Sequence, residues 1–155
     1  MRDTKHSKRL FVLIALGALS LVFIFSNSLK NGELSHGDSD FFVELLKPVF
    51  DSVFGVGAID ISFVVRKCAH LFEFACLGSV SALTAKQVKK ITGVHTTVYF
   101  VLGCLVIATV DEFIQSFTGR TSSVSDVVLD FFGAVLGFSL VQGITCLKRR
   151  LNKSA

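Results

Sequence analysis

Residues 10–29 read LFVLIALGALSLVFIFSNSL, an uncharged run of 20 residues dominated by leucine, valine, isoleucine, alanine and phenylalanine. A helix of about 20 apolar residues is long enough to cross the hydrocarbon core of a bilayer. Because the run is long and rich in phenylalanine, we expect a retained membrane span and not the core of a cleaved signal peptide.

The remaining sequence has the same membrane character. Of 155 residues, 51% are hydrophobic, 16 are phenylalanine and none is tryptophan, a composition outside the range of soluble globular domains. We predict an all-α integral membrane bundle of four transmembrane helices in a single domain, residues 1–155. The predicted spans cover about 10–29, 61–85, 91–117 and 124–147. The four cysteines lie in these spans without a CxxC pair, which favours apolar packing over a zinc or redox site.

A segment between the first two spans carries an amphipathic pattern. Apolar side chains recur at helical spacing through residues 39–54, which predicts a short helix lying in the membrane interface. Asp38 or Ser39 can cap its start, and Pro48 should kink it or divide it in two. The alternative is an ordinary packed loop, and the sequence does not decide whether the segment opens and closes over a site.

The basic residues are divided unequally between the two sides of the predicted bundle. Of 16 lysines and arginines, four precede the first span, three join the second and third spans, and four follow the fourth. The opposite loops contain only Lys30, Lys47 and Arg120. The positive-inside rule therefore places both termini in the cytoplasm.

Seven charged residues interrupt the spans, and all lie toward the ends that this topology places at the outer surface. They are Arg66, Lys67, Glu73, Asp111, Glu112, Asp126 and Asp130. A charge near the bilayer centre costs about 3 kcal/mol, so such a group indicates either mutual neutralisation or a hydrated site. Helical spacing places Arg66, His70 and Glu73 on one face of the second span, whereas we expect Lys67 to extend to the headgroups.

The third and fourth spans also have polar faces. Asp111 and Gln115 are four residues apart on the third span, as are Asp126 and Asp130 on the fourth. The acidic face of the fourth span continues through a GxxxG pattern at 133–137, which allows another helix to approach closely.

Three ordered motifs resemble those of VanZ-like membrane proteins. Residues 66–74 (RKCAHLFEF) resemble the RKxAHxxEY/F motif, and residues 111–117 (DEFIQSF) resemble the DExxQxF motif. Residues 120–137 follow with an arginine, an aspartate and two glycines in the family's order. Residues 25–28 (FSNS) resemble the polar ending of the family's first span.

The resemblance implies a multi-pass protein of the bacterial cell membrane. It also implies a role in the cell envelope, associated with low-level resistance to glycopeptides of the teicoplanin type, but no particular reaction. Two departures occur: Asp130 stands where the family often has Asn, and Gly119 where it often has Pro. The role of Asp130 is therefore left unassigned.

We expect a ligand-binding site where the polar faces of three spans meet. Its expected residues are Arg66, His70, Glu73, Asp111, Glu112, Gln115, Arg120 and Asp126. Arg66 and Arg120 at the rim suit a phosphate or carboxylate group. The predicted function is binding of a membrane lipid or a lipid-linked cell-wall precursor, and a lipoglycopeptide with an acyl tail fits the same description. The basic cytoplasmic ends suit anionic headgroups, so no nucleic-acid partner is expected, and the oligomeric state is not predicted.

One alternative is an enzyme that modifies an envelope lipid or precursor. Glu73, His70 and Asp111 are its catalytic candidates, because a buried carboxylate and a histidine can act as acid and base. The same side chains can hold a divalent metal cofactor, but no motif such as HExxH occurs and no metal ligand is assigned.

The other alternative is a purely structural network of ion pairs. Its expected pairs are Arg66 with Asp126 or Asp111, and His70 with Glu73 or Glu112. Such a network leaves more acids than bases, which argues against a role in packing alone.

Overall fold

The computed structural model describes residues 2–29, 43–52, 55, 60–118 and 122–154. Within these ranges the helices are α1 (Arg2–Ser28), α2 (residues 43–52), α3 (Ile61–Thr92), α4 (Thr97–Phe117) and α5 (Val124–Ser154). The described residues contain no strand, and α1, α3, α4 and α5 are each long and apolar enough to cross a membrane. The prediction of an all-α bundle with four spans is confirmed.

The boundary between the second and third spanning helices differs from the predicted one. α3 continues to Thr92, because Gly93 ends it in the left-handed conformation with φ of 77° and donates to the carbonyl of Lys89 at 2.9 Å. The third span therefore begins at Thr97 and not at residue 91. α5 likewise runs past the predicted end at 147 to Ser154, so its basic tail is helical.

The segment between the first two spans forms the predicted short helix. α2 is continuous from 43 to 52, so Pro48 does not divide it, and an ordinary loop is wrong for these residues. The expected caps, Asp38 and Ser39, lie outside the described residues, as do 40–42, 53 and 54. Whether α2 lies in the interface, or moves over a site, stays a prediction.

α3 is the central helix of the bundle and contacts α1, α4 and α5. Its crossing with α5 is the closest approach. A Cβ on Gly137 would lie 1.9 Å from the carbonyl oxygen of Ala75, and one on Gly78 would lie 1.9 Å from that of Ala134. Only glycine fits at such a crossing, so the close approach predicted from the GxxxG pattern is confirmed.

Apolar side chains fill the middle of the bundle and also cover its outside. Phe74 and Ala108 are fully buried, whereas large side chains such as Phe11 and Phe132 remain exposed, as expected for helices that contact lipid. Cys104 belongs to the core, but the other three cysteines are exposed on the helices. The packing role expected for all four therefore holds for Cys104 only.

α1 is the helix least covered by its neighbours. Only 11% of the residues in its most apolar 18-residue stretch are buried by other helices, against 39% in the corresponding stretch of α3. An apolar cavity of about 360 Å³ separates part of α1 from α4, with α3 as its floor. Polar contacts fix α1 near both of its ends. Asn27 and Ser28 contact α3 and α4, and the carbonyl of His6 accepts a hydrogen bond from the side-chain amide of Gln87 on α3 at 2.9 Å.

Candidate functional site

Asp111 is the point at which three spanning helices meet. Its carboxylate is fully buried on α4 and accepts hydrogen bonds from the hydroxyl of Ser28 on α1 and, at 2.8 Å, from the amide of Gln115. The Nδ1 atom of His70, on α3, lies 3.9 Å from the Oδ2 atom of the same carboxylate. The i, i+4 spacing of Asp111 and Gln115 thus brings the expected polar face inward.

Asp130 extends this cluster to the fourth spanning helix. Its side chain is 2% exposed, and its Oδ2 atom has no hydrogen-bond partner among the described residues. Ligand atoms of His70, Asp111 and Asp130 lie within 4.8 Å of one another. The sequence left Asp130 outside the expected site, but the α3–α5 crossing places it in the middle of the cluster.

Lys67 was expected to extend to the lipid headgroups, but it points into the bundle. It forms an ion pair with Asp126, and both side chains are mostly buried, at 20% and 16% exposure. It therefore does not extend to the headgroups, and the partner of Asp126 is Lys67 and not Arg66. The Arg66 guanidinium and the Lys67 ammonium both lie near the ring of Phe63, at 5.8 and 5.2 Å from its centre.

Glu112 holds the connection between α4 and α5. Its carboxylate is buried and accepts a hydrogen bond from the backbone N–H of Ser123 at 3.0 Å. The Ser123 hydroxyl in turn accepts from the N–H of Ser125 at 3.1 Å and thereby caps the start of α5. Glu112 thus accepts a backbone hydrogen bond at the edge of the cluster. His70, for which the structural network expected Glu73 or Glu112 as a partner, has its Nδ1 atom near Asp111.

Glu73 contacts the polar end of α1. The residues at this end, Asn27 and Ser28, were not among the expected site residues. The Nδ2 atom of Asn27 donates to the Oε1 atom of Glu73 at 2.9 Å, one position before Ser28, which contacts Asp111. The signal that could have identified Asn27 and Ser28 was the FSNS ending of the first span. Arg120, expected at the rim, lies outside the described residues, so its place in the site stays a prediction.

The same residues identify the protein's relatives. The sequence profile of the VanZ/LLP1 family matches residues 11–146, which include α3, α4, most of α1 and α5, and the polar cluster. The chain belongs to the VanZ/LLP1 family. Neither the curated proteins nor the solved structures compared with the chain contain a match.

Among the described residues of this VanZ/LLP1 protein, the cluster contains more acids than bases. The acids are Glu73, Asp111, Glu112, Asp126 and Asp130, and the bases are Arg66, Lys67 and His70. All lie at one end of the bundle, where α1 and α4 end and α3 and α5 begin. Burial makes uncompensated charge costly, so an acid-rich cluster attracts cationic groups, including ammonium groups and metal ions.

Proposed function

We propose that this multi-pass membrane protein binds the polar headgroup of a lipid or a lipid-linked envelope component at the acidic cluster. The observation that carries the proposal is Asp130, a buried aspartate with one oxygen unpartnered among the described residues, next to Asp111 and His70. The topology expected from the basic residues places this end of the bundle in the outer leaflet. Bound there, the ligand would be shielded from glycopeptides of the teicoplanin type.

The chemistry of the cluster favours a ligand that carries an ammonium group. Such a group offers three N–H donors and a positive charge, which complement the carboxylates of Asp111 and Asp130. Arg66 lies one helical turn from His70 on α3, and its guanidinium suits a phosphate or carboxylate. A zwitterionic headgroup or an aminated cell-wall precursor would contact both the two carboxylates and Arg66.

The test compares the wild type with Asp130→Asn in native mass spectrometry of the purified full-length protein. The wild type should retain a co-purified lipid or lipid-linked species, and the variant should retain at least tenfold less of it. Glu44→Gln is the matched control, because Glu44 is an exposed acid on α2 and takes part in none of the contacts described for the cluster. In a susceptible host, Asp130→Asn should also lose teicoplanin protection at unchanged membrane levels. Equal lipid retention and equal protection in all three proteins would overturn the proposal.

A second candidate function is a membrane enzyme that uses a bound divalent cation. The observation that favours it is the proximity of one imidazole and two carboxylates, all with ligand atoms within 4.8 Å. Imidazole and carboxylate ligands suit zinc, manganese and related ions, which polarise phosphoryl oxygens or activate water.

The enzyme candidate has its own measurement. Purified protein should contain about one equivalent of a transition metal by elemental analysis, and His70→Gln should lose it while Glu44→Gln keeps it. Cells that express the protein should then contain an envelope lipid of altered mass. A metal-free protein whose cells show no altered lipid would exclude this candidate and leave the binding function in place.

A further inference from the structure

A polar cavity of about 310 Å³ lies at the opposite end of the bundle from the acidic cluster. It is bounded by the last turns of α3, the start of α4 and the last turns of α5. Its size is at the lower end of the range of about 300–1,000 Å³ that is usual for small-ligand sites. The bundle thus has a second concave polar feature, separate from the site of the proposed function.

The lining of this cavity is strongly basic. Lys86 and Lys89 enter it from α3, Arg149 from α5, and His95 from the connection between α3 and α4. None of its lining residues is an aspartate or a glutamate. Cations gathered around one partly enclosed space repel one another, and an anion bound between them would remove that repulsion.

Lys86 is held in position by the helix that faces it. Its ammonium donates to the carbonyl of Val141 at 2.9 Å and to the hydroxyl of Thr145 at 2.5 Å. Lys89 and Arg149, by contrast, are exposed residues at the mouth of the cavity. A fixed lysine inside and two exposed cations at the mouth form a site that can close around an anionic group.

We propose that this cavity binds an anionic phosphate group on the cytoplasmic side of the membrane. The guanidinium fork of Arg149 matches the geometry of phosphate oxygens, and Lys89 adds a compact positive charge. The phosphate belongs either to the headgroup of an anionic lipid, which is abundant in the cytoplasmic leaflet, or to a soluble phosphate compound. The site is independent of the headgroup site at the other end.

The experiment measures binding to the purified full-length protein in a neutral detergent, by microscale thermophoresis. The probes are short-chain phosphatidylglycerol, phosphatidylcholine of the same chain length, and inorganic phosphate. The test variant is Lys89→Gln with Arg149→Gln. The matched control is Lys90→Gln with Lys148→Gln, which removes the same charge from the adjacent positions but does not touch the cavity lining.

The wild type should bind an anionic probe at least tenfold more tightly than phosphatidylcholine. The test variant should lose at least tenfold in that affinity, and the control should stay within about twofold of the wild type. Binding of inorganic phosphate alone would identify a soluble ligand, and binding of phosphatidylglycerol alone would identify a lipid headgroup. Equal losses in both variants, or no preference for either anionic probe in the wild type, would overturn the proposal. Lys89→Gln alone changes only an exposed side chain and serves if the double variant does not fold.

Discussion

Two buried aspartates in the acidic cluster differ in what surrounds them. Asp111 accepts hydrogen bonds from Ser28 and Gln115, whereas one oxygen of Asp130 has no such partner among the described residues. A buried acceptor that lacks a partner costs free energy in the folded state, and proteins commonly keep such a group where it serves a ligand. The two positions should therefore respond in opposite ways to the same substitution.

We expect Asp111→Asn to lower the free energy of unfolding by about 1–3 kcal/mol, because the new NH₂ group is a donor and leaves one of the two hydrogen-bond donors without its acceptor. Asp130→Asn should leave the free energy of unfolding unchanged or raise it, because the unpartnered oxygen makes no hydrogen bond among the described residues that the change could remove. Unfolding in mixed micelles, followed by circular dichroism at 222 nm, measures both, since the chain has no tryptophan for fluorescence. A loss at Asp130 as large as that at Asp111 would show that Asp130 is a structural residue.

The ion pair of Lys67 and Asp126 can be measured by a double-mutant cycle. Lys67→Gln and Asp126→Asn should show a coupling energy of about 1–3 kcal/mol, because the pair is mostly buried and each partner is left uncompensated without the other. The same cycle with Arg66→Gln in place of Lys67→Gln is the control and should give less than about 0.5 kcal/mol. A stronger coupling of Arg66 would restore the pairing expected from the sequence.

At the scale of the helices, the α3–α5 crossing is what brings Asp130 to the cluster. Gly133 and Gly137 follow Asp130 on the same face of α5, and their missing side chains let α3 approach. A wider crossing would move Asp130 away from His70. The distance between Asp130 and His70 therefore depends on how closely α3 and α5 pack.

Gly137→Ala tests this dependence. Its Cβ would meet the backbone of Ala75, so we expect a loss of about 1–3 kcal/mol in the free energy of unfolding, together with weaker ligand retention. Gly143→Ala is the control on the same helix, because a Cβ there has no neighbour within 4 Å. The control should be neutral or more stable by up to about 1 kcal/mol, since alanine favours the helix. Equal effects of the two changes would contradict the importance of the crossing.

The helices could be predicted from the sequence more completely than the contacts between them. The lengths of the apolar runs predicted the four spans, and the i, i+4 spacing predicted that Asp111 and Gln115 share one helix face. Neighbouring residues on a helix, such as Arg66 and Lys67, point about 100° apart, and only the rotation of α3 against α5 decides which one meets Asp126. That rotation depends on tertiary packing, so both the partner of Asp126 and the place of Asp130 escaped prediction.

At the scale of the whole molecule, the bundle carries opposite charge at its two ends. An acidic cluster lies at one end, and a basic cavity with basic helix extensions lies at the other. This polarity agrees with the orientation expected from the positive-inside rule, with the basic end in the cytoplasm. The assignment of the two sites to the two leaflets depends on that orientation.

Cysteine labelling tests the orientation directly. In a chain whose four native cysteines are replaced by alanine, Lys47→Cys should react with a membrane-impermeant maleimide in intact cells. Lys90→Cys should react only after the cells are opened, because it lies in the last turn of α3, at the end assigned to the cytoplasm. Both positions are exposed lysines, so they serve as controls for each other. The reverse pattern would exchange the sides assigned to the acidic cluster and the basic cavity.

The attachment of α1 also has a consequence for biosynthesis. Asn27 and Ser28 contact partners that are 46 and 83 positions later in the chain, Glu73 and Asp111. During insertion, Asn27 therefore gains its partner only when α3 has been made. The Ser28 hydroxyl, which also donates to the carbonyl of Ile24 within α1, reaches Asp111 only when α4 has been made. The polar end of α1 is therefore fixed in two steps, first by α3 and then by α4, before α5 completes the bundle by packing against α3.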